Sequence, residues 1–242
     1  MKASTVDLVF VIDASASMRP CFEGLARNLD QVIQPLQGFN FRVRLGLIAM
    51  NVGISDEGRG LVKIVTLADE FGNNPIYEGS QVLFTEDGKK FSKKLRSIEM
   101  EGDENHLIAL DHALDFPFGP ISSTRRVVAL FSDEKVEDGM LHETDQSKIP
   151  DLIKKVTARK VLLFAALPYS PALEMLGTID GAQIEPVDGG DGLASVNFGK
   201  LLTQMAKSIS VSAMQGAEGS YQRALWGQDQ WGEGSGTFKG LR

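Results

Sequence analysis

The stretch "DLVFVIDASASMRP", residues 7–20, runs an unbroken apolar segment over residues 8–12 straight into Asp13 and then sets serines at positions 15 and 17. An apolar run without polar alternation reads as a strand buried on both faces, the condition of a central strand in a parallel sheet. Neither a core strand nor a helix cap needs an aspartate with two alternate serines behind it. In an open parallel sheet, ligands bind where the strands end at their carboxyl edges, and Asp13 ends the first strand there.

Outward from this run, strand-length apolar segments recur at 42–50, 61–68, 125–133, 160–167 and 182–187. Helical spacing lies between most of them: Phe22, Leu25, Leu29, Val32, Ile33 and Leu36; Leu107, Leu110, Ala113 and Leu114; Leu152, Ile153 and Val156; Phe198, Leu201, Leu202, Met205 and Ile209. Strands alternating with helices predict a doubly wound, Rossmann-like α/β domain, with a mostly parallel six-stranded sheet and helices on both faces. The exception is 42–68, where "NVGISDEGRG" is too short and polar for a crossover helix, so 61–68 is expected as an antiparallel edge strand. The domain is expected over residues 1–210. From 211 to 242 the chain turns rich in Gly and Gln and holds both tryptophans, which predicts an extension beyond the domain.

The net charge of −7 argues against a nucleic-acid partner, because phosphate binding leans on clustered Lys and Arg. No apolar run reaches the roughly 18 to 20 residues of a membrane span. The single cysteine, Cys21, allows no intrachain disulfide and no CxxC motif. The first strand follows Lys2 almost at once, leaving no room for a signal peptide, so a cytoplasmic protein is expected.

In a near-extended loop, Asp13, Ser15 and Ser17 would project to one side and offer a carboxylate and two hydroxyls. These hard oxygen ligands with little formal charge suit Mg²⁺ or Mn²⁺, leaving coordination places to water or a partner. Asp133 ends "VVALFSD" as Asp13 ends "LVFVID", so the two carboxylates are expected at one edge of neighbouring strands. The competing interpretation of the first cluster is a helix cap, but three oxygens in alternation exceed what one cap uses.

"VFVIDASASM" resembles the D-x-S-x-S signature of von Willebrand factor type A domains and their metal-ion-dependent adhesion site. "VVALFSDEK" resembles the later strand that carries that site's second aspartate. The resemblance covers roughly residues 5 to 210, and the family's strand and helix order agrees with the one inferred above. It implies that the serines bind the metal directly, that the aspartates often act through water, and that a further loop supplies a threonine. The matching loop here, "EMEGDENHLIALDHAL", departs from the Gly-Gly-Thr-x-Thr of many members with Gly102, Asp103, Glu104 and Asn105. The resemblance makes Asp103 the first choice for the missing ligand and Glu104 the next, with both weighed against service at a helix start. An acidic ligand would make the metal less electrophilic, which leaves open a structural metal or Ca²⁺.

What the resemblance implies is a non-catalytic, cytoplasmic protein-binding module whose metal accepts an Asp or Glu from a partner, in some members with a shift of the last helix, here 197–210. Likeness to stand-alone bacterial type A proteins associated with tellurite resistance and phosphorylation-linked stress systems implies a scaffold. Two alternatives stand beside it. A haloacid-dehalogenase-like phosphohydrolase also begins with a strand ending in Asp, but Ser15 occupies the place of its general acid. A type A fold with a degenerate site could act as a purely structural partner.

Among the remaining features, "VDGGDG" (187–192) lacks the spacing of an EF-hand and reads as a glycine turn. His106, His112 and His142 share no metal-ligand spacing, and surface or packing roles are expected for them. Trp226 and Trp231 read as anchors of a tail that docks on a partner or on the domain. Oligomeric state, partner and pathway are not specified by any motif.

Overall fold

The structure, a computed structural model, describes residues 4–50, 62–65, 83–100, 104–137 and 147–215. In chain order the elements are β1 (Thr5–Asp13), α1 (Arg19–Asn28), α2 (Asp30–Gly38), β2 (Arg42–Met50), β3 (Val62–Val65), α3 (Gly88–Arg96) and α4 (His106–Leu114). They continue with β4 (Thr124–Phe131), α5 (Ile149–Arg159), β5 (Val161–Leu167), α6 (Pro171–Leu176), β6 (Gln183–Pro186) and α7 (Phe198–Gln215).

β1 is central because it can bury both faces. Its residues alternate between two apolar layers, Leu8, Phe10 and Ile12 on one side and Val9 and Val11 on the other. Five strands run parallel in the order β2, β1, β4, β5, β6, and β3 lies antiparallel outside β2, pairing Leu47 with Val65 and Met50 with Val62. The first layer takes its helical residues from α1, α2, α3 and α7, the second from α4, α5 and α6. Helices therefore cover both faces, as parallel strands joined by crossovers require.

Several elements differ from the expected ones. The helical run over 22–36 is two helices, α1 and α2, meeting at Leu29, which keeps right-handed helical dihedrals. α3 was not legible because only Phe91 and Leu95 mark its buried face among basic residues. Asp87 starts it by accepting the backbone N–H groups of Lys89 and Lys90. α6 is too short to show a period. α7 runs on past 210 to Gln215, and Ala213 is buried in the first layer. Trp226 and Trp231 lie outside the described residues. No helix among the described residues is long and apolar enough to cross a membrane.

At the amino ends of the strands, Asp7 is fully buried and accepts hydrogen bonds from Arg44 Nε and Nη2, each at 2.6 Å. It also accepts the Gly119 N–H at 2.8 Å, while Arg126 holds the Gly119 carbonyl. This network ties β1, β2 and the segment before β4 together at the edge opposite the candidate site.

Candidate functional site

Parallel pairing of β1 with β4 puts Ile12 beside Phe131, so both strands end at one edge and Ser132 falls next to Asp13. Asp13 is fully buried and Asp133 is 1% exposed. Each carboxylate oxygen has a donor. Asp13 Oδ1 accepts the Ser15 N–H at 2.7 Å and Oδ2 the Ser132 hydroxyl at 2.8 Å. Asp133 Oδ1 accepts the Ser17 hydroxyl at 3.1 Å and Oδ2 the Gly192 N–H at 2.8 Å.

Above the carboxylates sit the two hydroxyls, with Ser15 Oγ and Ser17 Oγ 3.1 Å apart, Ser15 half-buried and Ser17 exposed. They do not meet by simple alternation along an extended loop. Ser15 is extended (φ −60°, ψ 159°), and a 3₁₀ turn over Ala16–Met18, closed by the Met18 N–H donating to the Ser15 carbonyl, brings Ser17 around. No side chain caps this turn or α1, so the cap interpretation of the cluster fails.

The site's third wall is the loop between β6 and α7, which the sequence marked only as a glycine turn. Gly190 and Gly192 have positive φ (78° and 64°), and their N–H groups bond the backbone carbonyl and the carboxylate of Asp133. A Cβ on Gly192 would lie 1.9 Å from the Ser17 carbonyl oxygen, so only glycine allows this approach. Ser132 and this loop are the site residues that sequence reasoning missed. The signals were the serine preceding Asp133 and a Gly-rich loop leaving a strand at the same edge.

Burial pushes the Asp13 carboxyl above its ordinary range, outweighing the Ser15 and Ser132 hydrogen bonds that favour the charged form, and nearby Asp133 pushes the same way. No Lys, Arg or His pairs with either aspartate among the described residues. Behind them, Cys21 is fully buried, and burial together with the charges of Asp13 and Asp133 pushes its thiol up, which rules it out as a ready nucleophile.

Of the loop residues, Asp103 lies outside the described residues and Glu104 is buried, 7% exposed. The cap of α4 is Asn105, whose side chain accepts the Ile108 N–H at 3.0 Å, so Glu104 is not needed as a cap. His106 is fully buried with no hydrogen-bond partner on either ring nitrogen among the described residues, His112 is half-buried, and His142 lies outside the described residues.

Among the described residues no three His, Cys, Asp or Glu side chains gather into a cluster able to hold a metal. Any ion at this edge would rest on the hydroxyls with two carboxylates beneath. That donor set fits a small hard cation: adjacent ligands of an octahedral ion with bonds of 2.0–2.1 Å are about 2.9 Å apart, close to the serine spacing. Each hydroxyl has lone pairs to spare, even where Ser17 gives its proton to Asp133. The chain matches no protein-family model and no curated protein sequence.

Proposed function

We propose that this chain is a non-catalytic protein-binding module of the von Willebrand factor type A kind, in which Ser15 and Ser17 hold Mg²⁺ or Mn²⁺ over Asp13 and Asp133. The observation that carries the proposal is the pair of hydroxyls 3.1 Å apart at the sheet's carboxyl edge, backed by two buried carboxylates that no Lys, Arg or His among the described residues pairs with. Burying two like charges without a counter-ion is unfavourable, and a divalent ion would offset it. With mostly neutral groups touching it, the ion would keep enough positive charge to take a carboxylate from a protein partner. Ser132, the Ser15 N–H and the Gly192 N–H hold the aspartates in place.

The fitting cellular role is a scaffold that docks an acidic residue of a partner, in a bacterial multiprotein or stress-response assembly. Catalysis is not part of the proposal: a phosphohydrolase of the haloacid-dehalogenase type needs an acid where Ser15 stands.

Isothermal titration of Mg²⁺, Mn²⁺ and Ca²⁺ into chelator-stripped protein, with Asp13→Ala alongside, tests the proposal. Binding near one equivalent, absent in the variant, is expected. Equal binding by the variant, or phosphate-ester turnover that disappears in Asp13→Asn, would overturn it.

A further inference from the structure

A second feature borders the site. Arg19, two residues beyond Ser17, lines a cavity of about 310 Å³ together with Phe22, Glu23, Arg27, Arg96 and Met100. Half-buried Met100 gives it apolar surface, with Phe22 almost fully buried behind, and exposed Arg19, Arg27 and Arg96 give it three cations. Arg27 reaches Glu23 at 4.0 Å, while Arg19 and Arg96 have no ion-pair or hydrogen-bond partner among the described residues.

The cavity lies between α1 and α3, which are held together in part by the Ser92 hydroxyl donating to the Ala26 carbonyl at 3.3 Å. α3 carries Lys89, Lys90, Lys93, Lys94 and Arg96 and no carboxylate, in a chain of net charge −7. Cations in its last turn would suit the helix dipole, but Lys89 and Lys90 stand in the first turn, where positive charge opposes it. Helix stability therefore accounts for Lys93, Lys94 and Arg96 but not for Lys89 and Lys90.

We infer that the α1–α3 cavity is the second half of the partner-docking surface and receives an acidic polypeptide segment carrying an apolar side chain. The carboxylates pair with Arg19 and Arg96, and the apolar side chain lies on Met100 and the aliphatic stems of the arginines. A nucleic acid fits less well, because the cavity offers apolar surface and the chain as a whole carries a net charge of −7. The inference rests on the proposed reading of the neighbouring site as a protein-docking centre, since Arg19 links the two within one stretch of chain.

The test uses the full chain and a fluorescein-labelled Glu-rich peptide with one central Phe, titrated in Mg²⁺ and in chelator. The variants are Arg19→Glu/Arg96→Glu, Arg96→Ala and Asp13→Ala, each checked for an unchanged melting temperature, and oligothymidylate serves as competitor. The double reversal should weaken peptide binding about tenfold or more in both buffers, and Arg96→Ala by a smaller factor. Binding by the double variant within about twofold of the parent, no binding by the parent, or equal competition by oligothymidylate would overturn the inference. Indifference to Mg²⁺ and to Asp13→Ala, with the arginine effects intact, would remove the metal reading and leave the cavity assignment standing.

Discussion

Gly192 and His106 are the positions where a single side chain decides most. Gly192 combines a positive φ, an N–H on Asp133 and a Cβ position against the Ser17 carbonyl. Gly192→Ala is expected to cost on the order of 1–3 kcal/mol in chemical denaturation, and to weaken whatever divalent-cation binding the parent shows in titration, because the loop must withdraw from the Ser17 and Asp133 segments. His106 is sealed in neutral form: burial takes its pKa from 6.5 down to about 3. The unfolded chain therefore binds a proton that the folded chain refuses as pH falls below 6.5. Stability is whole above that pH and drops by about 1.4 kcal/mol per unit between 6.5 and about 3. His106→Leu should flatten the fall in urea midpoint between neutral and mildly acid pH, and an unchanged slope would place the acid sensitivity elsewhere.

At the scale of elements, the two ends of β1 do different work. Its carboxyl end builds the site, and its amino end carries Asp7, whose bidentate bond to Arg44 and bond to the Gly119 N–H lock neighbouring elements. Asp7→Ala should lower stability by about 3 kcal/mol, read from a denaturant titration, while leaving the titrated cation stoichiometry of the folded protein unchanged. The first-layer helices meet closely where Gly24 of α1 faces Phe198 of α7, since a Cβ there would sit 2.3 Å from the ring. The central strands were legible because doubly buried strands leave continuous apolar runs, and Asp13, Ser15, Ser17 and Asp133 because they end or follow such runs. The buried role of Asp7 was not legible, since an acid at the first position of an apolar run looks like a solvent-facing strand end. The 3₁₀ turn that delivers Ser17, and the glycine loop on Asp133, depend on contacts between segments far apart in sequence, which no local pattern reports.

For the molecule as described, the charge distribution separates two neighbouring surfaces: buried anions at the sheet edge and exposed cations on α1 and α3. An ion that binds only the folded chain adds stability by mass action, about 2.7 kcal/mol at a hundredfold excess over its dissociation constant. For a domain of this size that corresponds to a rise of roughly 5–10 °C in melting temperature. Saturating Mg²⁺ or Mn²⁺ is expected to produce such a rise in the parent and none in Asp13→Asn, as measured by calorimetry with a chelator control. The Gly192 clamp also has a kinetic consequence. The site needs Ser17, Asp133 and Gly192 together, and β1 must wait for β4 before it has a neighbour on its second side. A chain emerging from the ribosome would hold its aspartates without their loop until residue 192 has been made, so the site closes only late in synthesis, and any ion taken there would be taken after its two strands are already in place.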